Sequence, residues 1–256
     1  MVEKCPMKNF ITKNRLISFS AVALLFVLWK LISLWTASDQ LIPSPEKTLM
    51  AVADIISRES FWPSLLTTIG RGMLGFAISL VLAILVGVPA GMNATFRLVF
   101  NPLLVTFRST PVISLILLAI IWLGNEMVPV FIAVLTMFPI ICTNIIDGIR
   151  NVDKDLVEMG TTYRIKRRRI ITGIYLPSIS PFLTSGISNA LGFGWRAIII
   201  GEVLAQPRFG VGTQMQNAQI FLQVSELIAW TLIAILVSSL FEFIVRRAEK
   251  KLVRWK

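Results

Sequence analysis

The residues able to do chemistry in this sequence are few, and several are charges set within or at the edges of apolar runs. Arg71, Arg108, Arg196 and Glu202 are the notable ones. An ionisable group in lipid is costly and usually faces a bundle interior or a cavity, so each marks a candidate pathway or packing position. Arg108 leads the run Arg108-Ser109-Thr110-Pro111, and Pro102 and Pro111 bracket a stretch able to leave regular helix. Freed carbonyls there are tolerated where they line a cavity. Two roles stay open for Arg108: a wall of an anion-favouring pathway, or a boundary arginine that snorkels or meets a helix-end carbonyl. Arg71 reads as an interface or bundle anchor ahead of a span. Arg196 and Glu202 are six apart and so are not direct helix neighbours. Histidine is absent, which removes imidazole bases and His metal sites, and two cysteines, Cys5 and Cys142, build no disulfide framework or Cys-rich metal site. No phosphate-binding G-x-x-x-x-G-K-[ST] loop occurs, and neither Gly192-Phe-Gly194 nor Gly210-Val-Gly212 completes a dinucleotide fingerprint.

The elements that position these residues are membrane helices. Of 256 residues 55% are hydrophobic and 15% charged, against roughly 25% charged in soluble domains. The mean hydropathy is +0.76. A span needs about 20 residues, and six candidates appear: 16–37, 73–90, 103–125, 127–146, 170–200 and 227–245. Leu80-Val-Leu-Ala-Ile-Leu-Val86 does not alternate, which argues against barrel strands. The first apolar stretch is too long for a signal peptide and reads as a retained anchor.

Net charge is +11, and most of the 25 Lys and Arg fall in the N-terminal tail, the segment after the fourth span and the C-terminal tail. The positive-inside rule then places both termini in the cytoplasm, and the charge implies no nucleic-acid partner. The reading is one membrane domain over 16–246, between a cytoplasmic tail 1–15 and a basic tail 247–256. A cytoplasmic loop spans 147–180, and an external loop of turn signals spans 206–225. Leu41-Ile-Pro-Ser-Pro45 reads as an extended lead into a helix starting near Pro45. Gly72, Gly75, Gly186, Gly192 and Gly194 read as close-packing positions, and Trp35, Trp62 and Trp122 as interface anchors.

Within the cytoplasmic loop, Asp153-Lys-Asp-Leu-Val-Glu-Met-Gly160 carries an N-cap aspartate and acidic first turn. Leu156, Val157 and Met159 give this short helix an apolar side, suited to headgroups or to a groove on a partner. Lys166-Arg-Arg-Arg169 reads as a positive-inside anchor rather than a specific anion site.

The same loop resembles that of inner-membrane permeases of binding-protein-dependent ABC importers, which carry E-A-A-x-x-x-G, nine residues, then I-x-L-P. Glu158-Met159-Gly160 stands at E-A-A, Ile174-Tyr-Leu-Pro177 at I-x-L-P, and Arg164 where the pattern has glycine. The resemblance runs from about Leu41 to Trp255 and is nearest the nitrate, sulfonate, taurine, bicarbonate and pyrimidine-precursor branch. Ile69-Gly-Arg-Gly-Met-Leu-Gly-Phe76, Arg108-Ser-Thr-Pro111, Gly194-Trp195 with Gly201-Glu-Val203, and Phe209-Gly-Val-Gly212 carry it in order. It implies an all-α fold of the type I importer class and a multi-pass protein of the cell membrane. The implied partners are two ATP-binding cassette subunits that hold ATP and Mg, a second permease copy, and an external solute-binding protein. This chain itself would hold no cofactor or metal. The coupling residues implied are Asp155, Leu156, Glu158, Met159, Gly160, Arg164, Leu176 and Pro177. The candidate pathway residues are Arg108, Ser109, Thr110, Trp195 and Glu202. Because a left-handed arginine costs about 1–2 kcal/mol, Arg164 is expected in helical or extended backbone, its side chain reaching the last carbonyls or an acidic ATPase residue. A stand-alone secondary transporter would favour midplane carboxylates and an inverted repeat. A membrane-embedded enzyme would need a nucleophile–base or metal cluster. The sequence offers neither.

Overall fold

The computed structural model describes residues 7–36, 38 and 41–252, with side chains over 20–243 except 22, 37, 39 and 40, and for Arg247. Helices α1 (Met7–Thr36), α2 (Pro45–Ser57), α3 (Phe61–Met92), α4 (Ala94–Ser109), α5 (Val112–Leu123) and α6 (Val128–Arg150) form the first half. The second half is α7 (Lys154–Thr162), α8 (Arg167–Ile170), a π-helical turn Ile171–Tyr175, α9 (Leu176–Ala205), α10 (Val211–Ile220) and α11 (Val224–Leu252). No strand occurs among the described residues.

Four stretches are long and apolar enough to cross a membrane: Phe61–Met92, Val128–Arg150, Arg167–Ala205 and Val224–Phe243. The expected third span is not one rod. Helices α4 and α5 meet at 95°, making a broken span or re-entrant loop. The break falls at Pro111, which cannot donate an N–H and disfavours helix at Thr110, which caps α4 in extended backbone. Pro102 lies inside α4 without ending it. The expected first span falls in α1, whose described apolar stretch, Ala23–Thr36, is too short to cross; among the described residues four spans, or five with the bent pair, stand against the six expected. Residues 1–6 and 253–256 of the expected tails lie outside the described residues, while α11 continues through Leu252.

Helix α6 is the centre: 61% of its apolar window is buried, against 28% or less for the other three. It packs along α3 and α9 through small residues. A Cβ on Gly75 would lie 2.6 Å from the Ala133 Cβ, and one on Gly194 would lie 1.9 Å from the Met137 methyl. Such close approach is what membrane helices use in place of a hydrophobic driving force. Gly192 departs from that expectation, because nothing lies within 4 Å of the position its Cβ would take.

Local signals set the remaining ends. Ser44 caps α2 ahead of Pro45, its side chain accepting from the Lys47 N–H. The lead into α2 is held by α1: Trp29 Nε1 donates to the Pro43 carbonyl at 3.1 Å, and Lys30 Nζ meets the Glu46 carboxylate at 2.7 Å. Two boundaries correct the sequence reading. Span two starts at Phe61, so Arg71 lies well inside α3 rather than ahead of it. The segment 206–225, expected as a loop, contains α10.

Candidate functional site

The segment with the most distinctive surface is α7. Asp153 caps it, its carboxylate accepting from the Asp155 N–H at 2.9 Å and the Leu156 N–H at 3.4 Å. Gly160 is buried against Ile170, whose Cγ1 would lie 3.3 Å from a Cβ there. That contact turns Val157 inward and leaves Leu156, Met159 and Tyr163 outward, 44%, 49% and 76% exposed. With i, i+3, i+7 spacing these three form one ridge, with Glu158 and Asp155 exposed beside it. An apolar ridge left about half or more exposed on a nine-residue helix is a surface for another body.

The C-terminus of α7 overturns the expectation for Arg164. Arg164 is left-handed, with φ 52°. Its N–H donates to the Thr161 carbonyl at 2.9 Å, and the Ile165 N–H donates to the Gly160 carbonyl at 2.9 Å. These two bonds make a Schellman closure, with Arg164 at the position that usually holds glycine. The two bonds satisfy carbonyls the helix end would otherwise leave open, and this offsets the conformational cost. Beyond it the chain enters the π turn, where the Leu176 N–H bonds the Ile171 carbonyl. Pro177, in the first turn of α9, has no N–H to return to Gly173, so the α pattern cannot pass through this point unbroken. Leu176 and Pro177 therefore mark a break in the helix that joins α7 to the bundle. Helix α6 already includes 147–150 and the following helices 167–180, so the connection outside the spans narrows to 151–166.

The candidate pathway residues do not share one site. Arg108, in the last turn of α4, donates from Nη2 to the Thr143 Oγ1 of α6 at 2.9 Å. It lines a cavity of about 330 Å³ with Thr110, Thr136, Pro139 and Phe193. Ser109 is exposed beside the break and is not among the lining residues. Trp195 lies elsewhere, its Nε1 donating to the Ala234 carbonyl of α11 at 3.2 Å. Glu202 is fully buried and is not in that cavity.

Glu202 instead centres a polar hub that sequence reading missed. Arg71 donates to Glu202 Oε1 at 2.8 Å, to the Phe209 carbonyl at 2.6 Å and to Glu126 Oε2 at 2.5 Å. The Thr68 hydroxyl lies 2.9 Å from both Glu202 oxygens, and the Gly212 N–H donates to Glu202 Oε2 at 2.9 Å. Glu126 Oε1 accepts from the Arg208 N–H at 2.7 Å. The hub thus ties α3, the α5–α6 turn, the end of α9 and the chain entering α10. It also accounts for the glycines of Phe209-Gly-Val-Gly212: a Cβ on Gly210 would lie 2.6 Å from the Glu202 Cδ, and one on Gly212 2.5 Å from the Ile199 carbonyl. The signal available in the sequence was the cost of an Arg and a Glu inside apolar helices, which requires a partner for each.

Residues 79–255 match the family described as the binding-protein-dependent transport system inner membrane component. The chain belongs to that family. It is the permease subunit of an ABC importer, a multi-pass protein of the cell membrane and not itself an enzyme. In these systems the ATPase is a separate subunit, and a solute-binding protein delivers the cargo. Among its relatives, the putative aliphatic sulfonates transport permease SsuC of Bacillus subtilis is 28% identical over 91% of this chain and 85% of its own length. The taurine transport system permease TauC of Escherichia coli is 24% identical over 91% and 86%. The formylaminopyrimidine transport permease ThiX of Halalkalibacterium halodurans is 28% identical over 71% and 72%. A chain of the MetNI methionine ABC transporter, solved in inward-facing conformations, shares the fold with TM-score 0.55 and 17% identity. That match covers 76% of this chain and 93% of the other.

Proposed function

We propose that two copies of this permease form a pathway for a small organic anion of the sulfonate class, with α7 and both termini cytoplasmic. ATP and Mg are held by ATPase subunits docked on α7, and the permease holds no cofactor. The membrane domain spans 16–246, with 1–15 and 247–256 as tails. The observation that carries the anion reading is Arg108. Its guanidinium stands at a helix break, anchored by one hydrogen bond to Thr143, on the wall of a cavity large enough for a small solute. An arginine carries five N–H donors in a planar fork, so one bond to Thr143 leaves others for a ligand. The names of the sulfonate and taurine relatives agree with it. For coupling, the ridge Leu156, Met159 and Tyr163 supplies apolar contact and Glu158 the adjacent charge.

The test uses the complete transporter in proteoliposomes with its binding protein. Arg108→Gln should lower sulfonate uptake at least tenfold while the ATPase subunits still co-purify. Glu158→Lys should leave the membrane domain folded and separate ATP hydrolysis from uptake. Wild-type uptake in Arg108→Gln would sink the anion pathway, and wild-type uptake in Glu158→Lys would sink the coupling assignment.

A further inference from the structure

Beside α7, on the side away from its exposed ridge, two cavities of about 600 and 610 Å³ adjoin, sharing Met92, Ile149, Val157, Thr161 and Tyr175. The larger is an apolar chamber between the ends of α3 and α6 and the start of the helix that continues into α9. Its walls include Val88, Ile165, Ile170, Ile171 and Ile179. The other chamber is charged. Arg97, Arg150 and Lys154 line it, Arg167 lines the adjoining apolar one, and Glu158 is the single carboxylate among these lining residues. Among the described residues none of these four cations makes an ion pair or a side-chain hydrogen bond.

An apolar chamber opening onto four unpaired cations, at the ends of spanning helices, has the chemistry of one amphiphile: a chain in grease and an anion at the interface. Each volume falls in the roughly 300–1,000 Å³ range of ligand sites. Other occupants fit less well. The chain's own N-terminal tail carries Lys4, Lys8, Lys13 and Arg15, and a second copy would present the same cations, so both would be repelled.

We propose that this paired cavity binds one anionic phospholipid, an acyl chain in the apolar chamber and the phosphate on Arg97, Arg150, Lys154 and Arg167. The half-buried Val157 and the exposed Thr161 put α7 itself in the wall. The lipid therefore lies between the coupling helix and the ends of α3 and α6, and braces the helix from behind while its outer ridge faces the ATPase. The site stands on the cavities and their charges and is independent of the solute.

The test is native mass spectrometry of the full-length permease, delipidated in detergent and titrated with phosphatidylglycerol or phosphatidylcholine. One phosphatidylglycerol per chain should be retained, at least tenfold more tightly than phosphatidylcholine. Arg97→Gln with Arg150→Gln should weaken retention about fivefold per cation removed, roughly twenty-five-fold together. Val157→Trp, which fills the chamber and keeps every charge, should abolish it. Equal retention of the two lipids overturns the proposal without recourse to any variant. So does undiminished retention in Val157→Trp. Competition by soluble glycerol phosphate at the same concentration would mean that the headgroup alone is read, and it overturns the acyl-chain assignment. One-for-one displacement of the lipid by purified ATPase subunit would make the cavity a protein seat and overturn the lipid as occupant.

Discussion

Replacing Arg71 by methionine removes the cation from the hub while keeping the volume. Glu202, fully buried, then retains the Thr68 hydroxyl and the Gly212 N–H as donors and loses its one countercharge among the described residues. Glu126 is more than half exposed and can turn to water. Stranding one member of a buried pair costs about 3–5 kcal/mol. At about 2–4 °C per kcal/mol for a chain of this size, Tm should fall by roughly 6–20 °C. Glu202→Gln should cost less, because Arg71 keeps Glu126 and the Phe209 carbonyl. The double variant Arg71→Met with Glu202→Gln removes both charges and should be more stable than the sum of the singles by about 1–3 kcal/mol. The assay is thermal unfolding of the purified permease in detergent, with hydrogen exchange over 206–212 as a local readout. A Tm within about 2 °C of wild type for Arg71→Met, or strict additivity in the double variant, would refute the hub as a coupled ionic unit.

Two further outcomes follow from the geometry. Arg164→Gly relieves a left-handed arginine, a gain of about 1–2 kcal/mol offset by glycine's extra freedom of about 0.5–1 kcal/mol. Uptake should stay at the wild-type level and exchange protection of α7 should hold or rise, whereas Arg164→Val should lower both; a loss of protection in the glycine variant would contradict the Schellman end. The Glu46 carboxyl is held below its ordinary value of 4.5 chiefly by its hydrogen bond from Lys30. A lowered folded value means that the link between α1 and α2 persists above about pH 4.5 and is lost only as pH falls through the lowered value. Proteolysis of 38–44 should therefore be unchanged between pH 7 and 5 and rise only below; an increase between 7 and 5 would contradict the assignment.

What was legible in the sequence was what short-range chemistry fixes. Ser44-Pro45 and Asp153 announce helix starts because a side-chain oxygen two or three residues away satisfies the open N–H groups. The segment Asp153–Gly160 forms one short helix, as its cap and apolar side predict, and Leu176 and Pro177 follow at the break after it. Less was legible where distant residues decide. The sequence leaves Arg71 open between interface and bundle anchor, because its partners, Glu126 and Glu202, lie 55 and 131 residues away. Helix α10 carries Thr, Gln and Asn after Gly212 and gives little apolar contrast, yet Gly210 and Gly212 seat it against Glu202. At Arg164 the local cost of a left-handed arginine points to helical or extended backbone, and the two hydrogen bonds that the left-handed turn makes possible outweigh it. The pathway set divided because a shared apolar setting does not say which side of a helix a residue takes.

Helix α9 has a mechanical property that follows from its two ends. Leu176 and Pro177 sit at the π turn, and Glu202 lies near the other end of the same 30-residue helix. At 1.5 Å per residue the two are about 39 Å apart along the axis. A tilt of about 5° imposed at the near end would carry Glu202 sideways by roughly 3 Å, more than a hydrogen bond tolerates. The helix is a lever whose long arm finishes in the hub. A push that tilts α9 as a unit must therefore either drag Arg71 and the chain around Gly210 with it or unhook them, unless the helix yields by bending at the π turn or at Pro181.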